Sequence, residues 1–245
     1  MIEEARHGLL LARFEFLDYT RSVGAFAYAL LTPAFVLVAV AELWVNEGSR
    51  ADLVSEVVGM SILATGIFSI GVAVTEERRD GTLKTFMASP IGFLSYLIGH
   101  VLSRVTALVA GVLVMLAVAA IVYDVALTGA WLLFLAVAML STATMLALGF
   151  VLASRSQRTE SAGAIGSLLF VVGIMTVTID PSTIPQAVST LLELLPFGAM
   201  SQALRESWAG EGVGAVSVDV AILACWFLVL SAGASRWFRW TLSKS

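Results

Sequence analysis

The sequence predicts an all-α polytopic membrane protein, and three observations carry that reading. Of 245 residues, 59% are hydrophobic and only 13% charged, with a mean hydropathy of +0.94. A soluble domain carries about 25% charge. Six apolar runs are each long enough to cross a hydrocarbon layer about 30 Å thick, which takes roughly 20 helical residues. The loops between those runs alternate in basic charge, as the positive-inside rule requires. Six apolar helices of that length do not fit one small soluble domain.

The chain reads as one domain over residues 1–245, beginning with "ARHGLLLARFEFLDYTRS" at residues 5–22. Leu9, Leu10, Phe14, Phe16 and Leu17, with Arg13 and Arg21, fall at near-helical spacing. An apolar face with a basic edge suits a helix lying in the membrane interface, so residues 1–22 are expected to form one. The start lacks a basic region followed by a clean apolar core and a small-residue cleavage site, and reads as mature sequence. The six spans are expected at 23–43, 54–75, 98–123, 131–153, 161–179 and 216–235.

Charge then orients them. One side receives Arg6, Arg13, Arg21, Arg78, Arg79, Lys84, Arg104, Arg155, Arg158, Arg236, Arg239 and Lys244. The other receives only Arg50 and Arg205, so the split is 12 against 2 of the 14 basic residues. Both termini are therefore expected in the cytoplasm, with the chain in the cell membrane. The outer side collects acids over three loops, among them Glu56, Glu193, Glu206 and Asp219, and reads as a solvated rim rather than a cation site. Trp44, Trp131, Trp208, Trp237 and Trp240 lie near span ends, where indole rings favour the interface. Trp226 is the exception, inside the last span.

Several functions lack their signature residues in the spans. Carriers driven by ions or protons need buried carboxylates, His or Arg to hold the coupling charge. Here Arg104 lies about one turn into the third span, where it can snorkel, and Asp219 lies at the outer start of the sixth. His7 and His100 have no companions at metal-ligand spacing. No Ser with an internal His, no intramembrane Asp pair and no HExxH supports a protease. Cys225, the single cysteine, reads as a packing residue. No basic arm points to nucleic acid. If the protein moves something, the energy is expected to arrive from outside the spans.

The stretch "EERRDGTLKTFMASP", residues 76–90, is the most polar in the chain. Gly81-Thr82 reads as a helix break followed by an N-capping residue. Leu83, Phe86 and Met87 then make an i, i+3, i+4 apolar face, and Pro90 ends the short helix. The region 76–97 is thus expected to hold a short helix crossing the inner surface between spans two and three. On the outer side, residues 180–217 are too long for a bare turn. Leu191, Leu192, Leu194 and Leu195 before Pro196 suit either half-helices dipping back between spans or a helix lying flat on the surface.

The polar stretch resembles the signature of the membrane subunit of type-2 ABC transporters, a Glu-Arg-Glu-x-Gly-Thr run leading to Leu and Pro. Glu77, Arg78, Gly81, Thr82, Leu83 and Pro90 match in order, with Arg79 in place of the second Glu. The layout of spans is similar, and "ELLPFGAMSQALRES" at 193–207 resembles the family's Leu-Pro…Ala-Leu-Arg element. The resemblance implies that Glu77, Arg78, Gly81, Thr82, Leu83, Phe86, Met87 and Pro90 form a coupling helix region seated on a separate ATPase subunit. It implies two ATPase copies, which would bind the ATP and Mg. A second permease copy, as homodimer or heterodimer, would complete the pathway, and the surrounding partner is lipid. It also implies that Leu195, Pro196, Phe197, Leu204 and Arg205 close an outer gate. The chain has no GxxxxGK[ST], so no cofactor and no ATP hydrolysis are expected in it.

The function expected on that basis is the permease half of an exporter for hydrophobic, amphipathic or lipid-like cargo. An ATP-independent carrier or channel, or an assembly or haem-maturation permease, would share much of the layout. The topology is directly testable. In a chain with Cys225→Ser, an impermeant thiol reagent applied outside should label Ser49→Cys and Ser182→Cys but not Ser89→Cys or Ser156→Cys. The opposite pattern overturns the orientation.

Overall fold

A computed structural model describes residues 23–44, 52–82, 93–125, 130–179 and 183–237. The interfacial helix expected over 1–22 and the coupling-helix residues 83–90 lie outside the described residues, as does Trp240. The described residues are helical throughout, joined by short turns. In chain order they form α1 (Val23–Trp44), α2 (Asp52–Arg79), α3 (Phe93–Tyr123), α4 (Trp131–Arg155), α5 (Thr159–Thr178), α6 (Gln186–Glu193), α7 (Pro196–Trp208) and α8 (Val213–Trp237).

Five of the six expected spans coincide with helices long and apolar enough to cross a membrane: α2, α5, α4, α8 and residues 98–123 of α3. The first falls on α1, a helix of 22 residues with Pro33 inside it. Two boundaries move outward, since α3 begins at Phe93 and α8 at Val213. Several hydroxyls within the spans bond to their own helix, although Ser141 Oγ of α4 is buried without a partner. Ser61 Oγ donates to Val57 O at 2.7 Å, Thr65 to Ser61 O at 2.8 Å and Thr142 to Ala138 O at 2.7 Å. Such i−4 bonds let polar residues sit in an apolar layer at little cost.

The bundle is built around α2 and α4. In the apolar windows of both helices 56% of residues are buried, against 17% in α3 and α8 and 22% in α5. The core joins Val54, Val57, Ile62, Leu63 and Ile67 of α2 to Leu37, Met115, Met145, Met200 and Leu204 on four other helices. α1 pairs mainly with α3, and that pair leans on α2.

Where α2 meets α4 the backbones touch. A Cβ on Gly66 would lie 2.4 Å from Met145 O, and one on Gly149 would lie 2.0 Å from Gly66 O. There α2 widens into a π-helix over Thr65–Val72, a form that in other proteins often marks functional sites. Gly166 of α5 also serves packing within the chain, its Cβ position 3.0 Å from Ile67, whereas Gly163 faces open space.

The segment between α5 and α8 is helical and sharply bent. α6 and α7 meet at a 90° bend, and a Cβ on Gly198 would sit 2.0 Å from Leu192 O, so the bend requires glycine. Trp226 Nε1 donates to Leu194 O at 2.9 Å. Trp226 lies 13 residues past Val213, which places the bend about 20 Å along α8. Of the 13 residues of α7, 10 are buried, whereas α6 buries none. The expected interfacial role of Trp208 is corrected: it is 5% exposed and stands edge-on to Phe134 at 5.1 Å. Trp131 and Trp237 are exposed as expected.

Gly149→Ala should therefore cost about 1–3 kcal/mol, the range for overpacking. Gly163→Ala, with nothing near its Cβ position, should not destabilise. Thermal unfolding of the detergent-solubilised variants measures both, and equal midpoints would remove the α2–α4 seam.

Candidate functional site

The polar stretch begins inside α2. Glu76 to Arg79 are its last turn, closed by Asp80 N–H donating to Glu76 O at 2.9 Å. Gly81 takes φ 81°, a conformation that costs glycine little, and breaks the helix as expected. Helical conformation resumes at Thr82, one residue earlier than an N-cap there implies. Successive helical residues point about 100° apart, so Glu77, Arg78 and Arg79 reach three different neighbours.

Glu77 reaches α3. Its Oε2 accepts from Tyr96 Oη at 2.9 Å and lies 3.2 Å from His100 Nε2. Tyr96 and His100 are one helical turn apart and stand edge-to-face at 4.4 Å. Both are nearly fully buried.

Arg78 reaches α4. It is 4% exposed, and its Nη1 donates to Ala153 O at 2.8 Å and to Ser156 O at 3.3 Å. These carbonyls belong to the C-terminal end of α4, which has no further helical turn to bond them. A cation is also favoured there by the helix dipole. Arg79 reaches α5, pairing with Glu160 of its first turn at 3.3 Å with both side chains exposed. The residue that departs from the type-2 signature thus has its own carboxylate partner.

A second constellation lies at the opposite end of α2. Arg205 Nη2 stands 3.1 Å from Glu56 Oε1 of α2 and also donates to Val177 O in the last turn of α5. Ser201 Oγ donates to the same carbonyl at 3.4 Å. Leu195 is the extended residue before α7, and Pro196 opens the helix where its missing N–H costs nothing. Phe197 and Leu204 are buried in the core. Between α5, α6 and α7 lies a cavity of about 20 Å³ bordered by Ser189, Glu193, Ser201 and Arg205. That is room for one water.

The structure brings Glu77 and Arg78 together at one end and Phe197, Leu204 and Arg205 at the other. Thr82 is exposed, and Leu83, Phe86, Met87 and Pro90 lie outside the described residues. Tyr96, His100 and Glu56 were missed as partners. The available signal was the i, i+4 spacing of Tyr96 and His100 on the first turns of the next span. Among the described residues, no group of three or more His, Cys, Asp or Glu side chains could hold a metal ion.

An apolar bundle with a charged, glycine-broken turn at one end and a sharply bent helix pair at the other is a layout that suits a membrane transport subunit. The chain belongs to the ABC-2 type transporter family, whose pattern it matches over residues 7–208. No curated protein sequence matches it significantly.

Removing the Arg78 guanidinium leaves buried carbonyls unbonded, so Arg78→Met should cost about 1–3 kcal/mol. Arg79→Met removes only an exposed pair and should cost less than about 1 kcal/mol. Thermal midpoints in detergent give the comparison; equal losses would mean that Arg78 is not the buried tie.

Proposed function

We propose that the chain is the permease half of an ATP-driven exporter, and that the turn Glu77–Arg79 distributes force from a separate ATPase subunit. The supporting observation is that three consecutive residues tie the end of α2 to α3, α4 and α5. A displacement entering at Gly81-Thr82 would reach four helices at once. Two ATPase subunits, holding ATP and Mg, would each engage the segment Thr82 to Met87 on one permease copy. The basic end is then cytoplasmic, with both termini there and the chain in the cell membrane. Closure of the ATPase pair would move the coupling segments and alternate the access of the pathway.

At the acidic end, α7 with Leu195, Pro196, Phe197, Leu204 and Arg205 would close the outer mouth. Its bent, well-packed form and its tie to α2 through Glu56 support that role. The apolar bundle suits hydrophobic, amphipathic or lipid-like cargo.

The partnership is tested by Phe86→Asp, which should abolish recovery of an ATPase subunit with the tagged permease from native membranes. Permease abundance should not change. Glu77→Gln keeps an acceptor for Tyr96 but removes the charge facing His100. In reconstituted complexes it should cut transport at least about tenfold, the scale of one charge-assisted hydrogen bond. Basal ATP hydrolysis should persist. Full recovery of the ATPase with Phe86→Asp, together with undiminished transport in Glu77→Gln, would overturn the reading.

A further inference from the structure

Packing along the middle of α2 repeats every four residues. Ile62-Leu63, Gly66-Ile67, Ile70-Gly71 and Val74-Thr75 are buried, and the two residues between successive pairs are less so. Ile62 to Val74 is therefore three turns of one buried face over 12 residues. An α-helix advances about 100° per residue, so three of its turns take about 11 residues. Twelve α-helical residues would overshoot by about 120° and carry Val74 and Thr75 off the face that Ile62 and Leu63 share. The face is kept because Thr65–Val72 is π-helical, and an i→i+5 bond takes one more residue into the turn. Ala64 and Ala73 on either side have α-helical dihedrals, so the helix runs on unbroken. The middle of α2 thus holds one residue more than its turns need.

The surroundings of that surplus residue are uneven. Gly66 is fixed, because any side chain turned into its place would meet the Met145 carbonyl. Five residues on, the nearest atom to a Cβ on Gly71 would be Leu152 Cδ2 at 2.8 Å, the far end of a side chain. Away from α4, Thr65, Phe68 and Ser69 border a cleft of about 370 Å³ between α1, α2 and α3. The two ends of α2 are anchored separately, Glu56 to Arg205 at one and Glu77, Arg78 and Arg79 to three helices at the other. A plain α-helix could turn only by releasing both sets of anchors together.

We propose that Thr65–Val72 is a torsional joint, at which the basic end of α2 turns by about 100°, the angle of one residue, while Gly66 and the acidic end stay in place. A surplus residue passes along a helix as i→i+5 bonds are exchanged for i→i+4 bonds one at a time, which leaves the backbone paired throughout. It can be discharged at the end of α2, where Gly81 at φ 81° already breaks the helix. In the turned position Glu77, Arg78 and Arg79 leave α3, α4 and α5 together, so their bonds hold the joint in the position described here. The inference rests on α2 alone and not on an ATPase partner, and the two readings fail separately.

The test uses the full-length chain with Cys225→Ser in lipid nanodiscs, with nitroxide labels on Glu76→Cys and Arg236→Cys, both exposed positions. Double electron–electron resonance reads the distance between them. A turn of about 100° carries a group on the surface of a helix 10–12 Å across by about 8 Å. One principal distance is expected without further change, and Arg78→Met, which removes an anchor, should add a second population displaced on that scale. Glu77→Gln gives the same comparison if Arg78→Met does not survive purification. Deleting Ser69 removes the surplus residue, so the chain should keep close to its original thermal midpoint. In the Arg78→Met background that deletion should restore the single principal distance. Absence of a second population in both anchor variants overturns the joint, as does its persistence after Ser69 is deleted. Unfolding on deletion of Ser69 alone would show that α2 holds no surplus residue, and overturns it equally.

Discussion

A helix that ends among other helices leaves carbonyls with no intrahelical partner, and in this protein side chains from neighbouring helices bond them. Each unbonded buried group costs about 1–3 kcal/mol. Ala153 O and Ser156 O at the end of α4 receive Arg78, Val177 O at the end of α5 receives Arg205, and Leu194 O at the bend receives Trp226. Every donor comes from a different helix than its acceptor. Satisfying the backbone therefore also fixes which helices are neighbours and at what height.

The two arginines act on the same helix system from opposite ends. Arg78 projects from the basic end of α2, while Arg205 reaches Glu56 near its acidic end. Midway, the Gly66–Gly149 contact holds α2 against α4 at backbone distance. α2 is thereby bound at three heights to the side of the bundle formed by α4, α5 and α7. The α1–α3 pair meets α2 less extensively, and the cleft opens on that side. The π-helical turns run along this boundary, with Gly66 facing α4 and Ser69 facing the cleft.

Much of this was legible in the sequence because membrane constraints act locally. A run of apolar residues has to be a helix, and Gly81 after a charged turn has to break one. The span at 98–123 and the break at Gly81 were readable for that reason. Partners distant in sequence were not. Nothing local distinguishes Arg78, buried against α4, from Arg79, exposed beside Glu160. Trp208 looked interfacial because it ends a helix near a loop. The turn into α8 instead brings it onto Phe134, where ring packing outweighs the interface preference. Trp226 was visible as an anomaly inside a span, and its explanation is the Leu194 carbonyl that only the folded bend exposes.

The polar groups within the bundle bear on where the driving energy enters. Ser61, Thr65, Thr142 and Thr144 all donate to the carbonyl one turn back, so their protons are held in local bonds. A chain of such hydroxyls does not relay a proton across the layer. Glu56 and Arg205 pair at the acidic end, and Glu77, Arg78 and His100 gather at the basic end. With charge held near the ends of α2, a coupling ion would find no stepwise path between them along that helix. Force delivered mechanically meets no such obstacle, because the ties at Glu77, Arg78 and Arg79 connect the end of α2 to three neighbours. Among the described residues, that distribution of charge supports the proposed external motor over an ion gradient.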